Sequence, residues 1–237
     1  MLTISEIFGP TIQGEGPWIG KKCLFIRFYG CDYKCSFCDQ KEHLIVPISS
    51  TVKYIIEKIK ERSQNTKKIV ITGGNPCIQN EFLMKKLIKE LMMRNYEIAI
   101  ETQGSKWCDW LCLVSLIVIS PKLYCYNEKL FYNKFMKKCF NENITNKLCI
   151  KIVIFANKYL KKQLIKAKNI RKQYKHILYY ISIGNRFLNI KDELIQKKGI
   201  IGDYKKILYF ILKDEDFQDI SILPQMHVLL WGSLKRI

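Results

Sequence analysis

The chain has 237 residues, 48% of them hydrophobic and 12% aromatic, with ten cysteines and a formal net charge of +19 at pH 7. That length and apolar content suit one folded domain over residues 1–237 with a substantial core, and exclude a disordered tail. The longest apolar run, 111–119, is broken by Ser115 and falls short of the roughly 18 residues a membrane span needs. In chain order, β-rich runs are read at 24–29, 68–72, 97–101, 116–120, 149–155 and 177–183, each rich in Ile, Val, Tyr or Phe. Between them, 51–62 carries Val52, Ile55, Ile56 and Ile59 on one helical face, with Thr51 placed to cap it. Residues 81–94 do the same with Phe82, Leu83, Leu87, Ile88 and Leu91, and 157–174 with Leu160, Leu164 and Ile165. Strands alternating with helices of this length predict βαβ units and a largely parallel sheet. Six such strands suit either an open doubly wound sheet or a partial barrel, and periodicity does not choose between them.

Charge and compartment come next. Only six of the 40 basic residues are arginines, and the lysines are spread through helix-like segments with no block of five like charges. This reads as a solvated surface rather than a nucleic-acid-binding tract. The N-terminus lacks the basic and then apolar pattern of a secretory signal. A cytoplasmic protein with reduced thiols is expected, with neither membrane nor direct nucleic-acid binding.

The chemistry concentrates at Cys31, Cys35 and Cys38, spaced C-x3-C-x2-C directly after a predicted strand. Thiolates are soft ligands for iron–sulfur clusters or zinc. A closed zinc site needs a fourth ligand, and the nearest further pair, Cys108 and Cys112, has spacing that suits core packing. Three thiolates on a four-iron cluster leave one iron open to a ligand that is not protein. A second signal is Thr72-Gly73-Gly74-Asn75-Pro76 at a predicted strand end, where paired glycines let backbone approach a ligand closely. A third is the N-terminal segment 6–20, which holds Gln13-Gly14-Glu15-Gly16.

The cysteine loop resembles the cluster signature of the radical S-adenosylmethionine (SAM) superfamily. The glycine pair is similar to that superfamily's glycine–glycine–glutamate–proline motif, with Asn75 in the glutamate's place. Segments 6–20, 100–104, 119–122 and 223–232 resemble, in order, the 7-carboxy-7-deazaguanine synthase family within it. The resemblance implies a partial β/α barrel of mostly parallel strands, a 4Fe-4S cluster on Cys31, Cys35 and Cys38, and SAM on its open iron. It implies radical ring contraction of 6-carboxy-5,6,7,8-tetrahydropterin to 7-carboxy-7-deazaguanine with loss of ammonia. The cofactor would meet the Phe37 ring, backbone of Phe37, Cys38 and Asp39, Gly74, and Ser120-Pro121-Lys122. Substrate would meet Arg27 at its carboxylate, Gln13 and Glu15 with backbone from Ile12 to Gly14 at its aminopyrimidinone edge, and Thr72. Gln225 and His227, in the C-terminal match, are substrate-side candidates, the histidine without an assigned role.

Gln40 stands where the family has a threonine or serine that helps hold a magnesium ion. Its amide oxygen is a permissible ligand for this hard cation, so retained Mg2+ binding is expected. The resemblance also implies a flavodoxin-type electron donor and a homodimer. Two rivals stay open here. A glycyl-radical-enzyme activase shares the cysteine spacing but leaves Gln13, Glu15 and Arg27 without a role, and an iron–sulfur electron carrier would not need the glycine pair.

Overall fold

Alternation of side chains along each strand assigns the residues of this chain to two unlike surfaces. In β2 (Lys22–Phe28) the residues Leu24, Ile26 and Phe28 enter the main core, while Cys23 and Phe25 belong to a second, smaller apolar cluster on the opposite face. The same division runs through β4 (Lys68–Gly73), β5 (Glu97–Thr102), β6 (Leu116–Ile119) and β7 (Leu148–Ile154). Ile69, Ile98, Ile117 and Ile150 lie in the main core, and Val70, Ala99, Val118 and Cys149 in the small one. The computed structural model describes residues 1–38, 47–123, 128–187, 190 and 192–232, without the side chains of 128–131.

The six strands expected from sequence all form, the last being β8 (Leu178–Ile183). Three more join them. β1 (Leu2–Ile12) pairs antiparallel with β2, β3 (Ile48–Ser50) pairs antiparallel with β1, and β9 (Ser221–Leu223) closes the far edge. The nine-stranded order is β3-β1-β2-β4-β5-β6-β7-β8-β9, parallel from β2 onward. β1 escaped sequence reading because Gly9-Pro10 interrupts it and its register shifts twice. β3 covers only Leu2–Ile4, so Pro10 lies where no further strand needs its missing N–H.

Helices α1 (Val52–Arg62), α2 (Glu81–Met92) and α4 (Leu160–Gln173) occupy the predicted crossovers; α3 (Glu128–Asn141), α5 (Glu193–Ile211) and α6 (Met226–Trp231) add to them. Thr51 caps α1 as expected, its hydroxyl accepting from Tyr54 N at 3.1 Å. Two inward assignments are corrected. Phe82 is 75% exposed, because the buried stripe of α2 is Met84, Leu87, Ile88 and Leu91, on the opposite side of the helix. Ile165 is 58% exposed, one position past the stripe Leu160, Gln163, Leu164 and Ala167.

The sheet curls into an incomplete β/α barrel. In the strand order β1 and β7 are five places apart, yet Glu15, just after β1, reaches Lys151 of β7 at 2.5 Å. Met226 N, beyond β9 at the other edge, donates to Gly14 O at 3.1 Å. The helices cover the outside, and the small apolar cluster floors the inside. No helix among the described residues is long and apolar enough to cross a membrane.

Gln163 ties α4 to the end of β7. It is fully buried, accepts from Phe155 N at 2.8 Å and donates to Phe155 O at 2.9 Å. Replacing it with leucine strands both backbone groups, so Gln163→Leu is expected to cost about 2–4 kcal/mol of stability in an anaerobic urea titration.

Candidate active site

Above the apolar floor, the inner-facing positions turn polar. Arg27 of β2 is paired across the sheet with Glu6 of β1, its register partner, in an ion pair that is 13% and 7% exposed at the two side chains. The guanidinium also lies 4.9 Å from the centre of the Phe8 ring. A buried arginine needs an anion, and within the chain Glu6 supplies it, a residue sequence reasoning passed over. Arg27 Nε is buried without a partner, a donor left for a further acceptor.

Glu101 of β5 is the hub of the next group. One of its oxygens accepts from Thr72 Oγ1 at 2.9 Å, and the other from Gln13 Nε2 at 3.1 Å. Lys151 joins this group, with Nζ 2.5 Å from Glu15 Oε2 and 3.5 Å from Glu101 Oε1. Burial alone would push the Glu15 carboxyl up, but the Lys151 ammonium, then His227 and Gln225, outweigh it and hold it at about 2. Lys151 is likewise raised despite its burial, by Glu101 and Glu15. Neither Glu101 in this role nor Lys151 was picked from sequence. A lone lysine in the otherwise apolar run 148–154 was the available signal.

Loop 13–21 is closed on itself, Gln13 N donating to Lys21 O and Gly20 N to Gln13 O. Gln13 Oε1 accepts from Gly14 N at 2.8 Å, which turns its amide nitrogen toward Glu101. Gly14 is required by packing: a Cβ there would sit 2.2 Å from His227 Nδ1. His227 therefore seats α6 against the loop. Gln225 is buried and its Oε1 accepts from Asn185 N at 3.1 Å. Ile12, the last residue of β1, pairs with Lys22 and stands outside this side-chain network. Ser182 Oγ and Asn185 Nδ2, on β8 and just beyond it, are buried without partners. Sequence reading had no means of marking them.

The cysteine loop leaves the end of β2 beside this group. Gly74 N donates to Phe28 O and Asn75 N to Gly30 O at 2.8 Å, so the glycine turn lies directly against the loop. A Cβ on Gly74 would fall 1.9 Å from Gly30 O, which explains the residue type. Asn75 is fully buried. Its Nδ2 donates to Asp32 Oδ1 and Ser105 Oγ, both at 2.9 Å, and its Oδ1 accepts from Thr102 Oγ1 and Cys77 N. Every hydrogen-bonding position of this amide is filled.

Cys31, Cys35 and Cys38 are partly exposed free thiols on one loop. Tyr33 N, at 3.4 Å, and Gln103 Nε2, at 3.6 Å, donate to Cys31 Sγ. Burial raises the Cys31 thiol against the pull of these donors, a balance that metal coordination would reverse. Among the described residues no three His, Cys, Asp or Glu side chains converge on one point for a single ion. A cubane does not ask for that, since each thiolate binds a different iron. Three soft, accessible donors with N–H groups on the sulfur fit the cluster. Asp39 and Gln40 lie outside the described residues, so the expected adenine contact of the first and the magnesium contact of the second are not described.

Around the cofactor candidates, the Phe37 ring packs on Phe155 with centres 5.2 Å apart. Gly184 lies against the Phe155 ring, where a Cβ would come within 2.3 Å. Ser120 and Pro121 are buried at the end of β6; Ser120 N donates to Thr102 O at 2.7 Å, and Lys122 Nζ to Ser120 Oγ at 3.3 Å. Of the other cysteines, Cys23, Cys77, Cys108, Cys139 and Cys149 are buried free thiols and Cys112 a partly buried one. Cys125 lies outside the described residues.

The Asn75 network yields a prediction. Asn75→Asp would bury a carboxylate against Asp32 and lose two donors, which should cost about 3 kcal/mol or more. The acid's folded pKa would be raised, so the loss should be smallest below about pH 4 and grow as pH rises, in denaturant titrations across pH.

The Radical SAM superfamily model matches residues 25–148, from β2 to the start of β7. The 7-carboxy-7-deazaguanine synthase of Bacillus cereus is 30% identical over 247 aligned residues, covering 100% of this chain and 99% of that protein. The Bacillus subtilis enzyme of the same name is 29% identical, covering 100% and 98%. Among solved structures, Streptococcus suis SuiB bound to SAM superposes with a TM-score of 0.51 at 17% identity, over 87% of this chain and 51% of that one. SuiB bound to its precursor peptide SuiA gives 0.54 at 15%, over 86% and 49%. At such identity these two speak for the fold alone, and this chain spans about half of SuiB's length. With a superfamily match over half its length and full-length similarity to a named relative, the chain belongs to the 7-carboxy-7-deazaguanine synthase family of radical SAM enzymes.

Proposed function

We propose that the protein converts 6-carboxy-5,6,7,8-tetrahydropterin to 7-carboxy-7-deazaguanine with loss of ammonia, as a radical SAM lyase in the route to queuosine or related 7-deazapurines. The observation that carries the reading is one layer of polar groups on the inner face: Arg27, Thr72, Glu101 and Gln13 at the strand ends that launch the cysteine loop and the glycine turn. A peptide-acting activase or an electron carrier has no use for such a layer.

When bound, the cluster on Cys31, Cys35 and Cys38 and the SAM beside it supply the reducing electron and the hydrogen-abstracting radical. The chain's own residues do the rest. Arg27 offers its unpartnered Nε, and a share of the charge now given to Glu6, to the substrate carboxylate. Glu15, held ionised, accepts from the N–H groups of the aminopyrimidinone edge, and Gln13 supplies both an acceptor and a donor. Thr72 fixes Glu101 and faces the same space. Phe37 offers its ring to the adenine, backbone of Cys38 and Asp39 its edge contacts, and Gly74 a surface with no side chain in the way. Ser120, Pro121 and Lys122 flank the cofactor, while Ile12, Gly14, Gln225 and His227 close the substrate side and exclude water. Ser182 and Asn185 offer further hydrogen bonds into the enclosure.

A magnesium ion on Gln40 belongs to this reading. What supports it is the chemistry of the side chain, an amide oxygen being a permissible ligand for this hard cation beside an anionic substrate. A flavodoxin-type acidic donor is supported by the basic balance of the chain. A homodimer is supported by the exposed Leu194, Ile201 and Leu212, which lie along one side of α5. The reading places the enzyme in the cytoplasm, where a cluster and free thiols are kept reduced.

Anaerobic reconstitution with iron and sulfide, followed by carboxytetrahydropterin, SAM and a reductant, should yield the deazaguanine product with SAM recovered. Formation of 5′-deoxyadenosine without that product would favour an activase. Cys35→Ala should lose the cluster absorbance and all turnover. The paired change Glu6→Gln with Arg27→Gln, which strands no buried charge, should lower kcat/KM about a hundredfold, chiefly through KM. Equal turnover with and without magnesium in metal-stripped enzyme would remove the ion from the account.

A further inference from the structure

Lys151 is a charged residue in a strand that is otherwise apolar, Leu148–Ile154, and it is 5% exposed. An ammonium so placed loses its hydration and keeps its proton only where anions replace the water. Two do so, from elements distant in sequence: Glu15 of the loop after β1 at 2.5 Å and Glu101 of β5 at 3.5 Å. No other cation among the described residues is within ion-pair distance of either carboxylate, since Arg27 is engaged by Glu6.

We infer that Lys151 is a positioning residue for the reaction proposed above: its ammonium, in contact with Glu15 and Glu101, keeps Glu15 a carboxylate, so that the cradle presents an acceptor rather than a carboxylic acid to the N–H edge of the pterin. The inference rests on that proposed function. Its chemistry is that of acceptor and donor matching. An aminopyrimidinone edge offers adjacent N–H donors, and an ionised carboxylate accepts two, whereas a protonated one brings a competing O–H donor. Burial alone would raise the Glu15 carboxyl, and without Lys151 the largest opposing influence is gone. The other groups facing Glu15 and Lys151 do not replace that ammonium. Gln13 and Thr72 donate neutral hydrogen bonds to Glu101, Gln225 is neutral, and the Cys149 thiol below Lys151 is raised by burial and stays protonated. His227 also faces Glu15, and Lys151 is the cation in ion-pair contact with it.

A mere pin between the loop and the sheet would predict a loss independent of pH. The charge role predicts a loss that depends on it, and the sign is fixed. Without Lys151, buried Glu15 holds its proton at low pH and releases it as pH rises, so the variant should recover toward alkaline conditions.

The test measures kcat and KM for deazaguanine formation by reconstituted enzyme between about pH 6 and 9, with each variant expressed as a ratio to the native chain at the same pH. Cluster absorbance and far-ultraviolet circular dichroism serve as checks on folding. Lys151→Met should fall about tenfold or more near pH 6.5, mainly in KM, and regain much of this by pH 9. Adding Glu15→Gln to it removes the carboxyl that takes up the proton, and the pH dependence of the ratio should disappear. If the methionine variant does not fold, Lys151→Gln and Lys151→Arg make the same distinction, the first acquiring the pH dependence and the second not. A Lys151 variant that loses its charge yet keeps a flat ratio, at whatever level, overturns the inference. Absence of product from the native chain instead overturns the proposed function and leaves these ratios unmeasured.

Discussion

A buried ammonium on β7 and two largely buried carboxylates, one on β5 and one on the loop after β1, form the constraint around which the rest of this molecule is arranged. Each ion alone would be driven out of the interior or neutralised, because the loss of hydration amounts to several kcal/mol per group. Together, Glu15, Glu101 and Lys151 are tolerable only at contact distance, and contact requires the sheet to bend until a loop beyond β1 meets β7. The curl of the barrel, the closed 13–21 loop and the seating of α6 on Gly14 serve that single juxtaposition. The apolar floor of Phe25, Val70, Ala99, Val118 and Cys149 keeps water from below and so makes the ionic layer above it matter more.

A second constraint links this layer to the cysteine loop. The glycine turn is packed so tightly on Gly30 that no side chain fits at Gly74. Asn75 then extends the contact into Asp32, Ser105, Thr102 and Cys77. The loop that carries three thiols is therefore held by the same strand ends that carry Thr72 and Glu101. Where the superfamily motif has a glutamate, this chain has an amide whose two donors are both spent, one of them on Asp32. Reading Asn75 as a lost function overlooks that a carboxylate at this position would face Asp32 with like charge.

The parallel strands were legible because buried strands of this kind are short runs of β-branched residues, and the apolar stripes of α1, α2 and α4 because their period is helical. The cysteine spacing and the glycine pair were legible because each is local. The missed parts share a physical cause. β1 breaks its alternation at Gly9-Pro10 and shifts register, so its 11 residues read as loop. Glu6 acquires meaning from Arg27 on the neighbouring strand and Lys151 from Glu15 across the barrel, while Ser182 and Asn185 gain theirs from burial alone; nothing within a few residues of any of them announces this. Phe82 and Ile165 failed for the opposite reason: each is apolar in the right neighbourhood but on the wrong side of its helix.

The basic balance of the chain takes its place last. Its lysines stand outward on the helices, as with Lys53, Lys85 and Lys161, all exposed, whereas Arg27 and Lys151 on the inner face are taken up in ion pairs with Glu6, Glu15 and Glu101. A field of that sign outside brings anions toward the molecule over roughly the Debye length, about 8 Å at physiological salt. Inside the barrel, on the function proposed above, an anion is held where Arg27 meets it. Long-range attraction and local selection then act on the same ligand in sequence. On that reading a neutral edge recognised by carboxylates and a carboxylate recognised by an arginine define a ligand with two unlike ends, and its orientation beneath the cysteine loop follows.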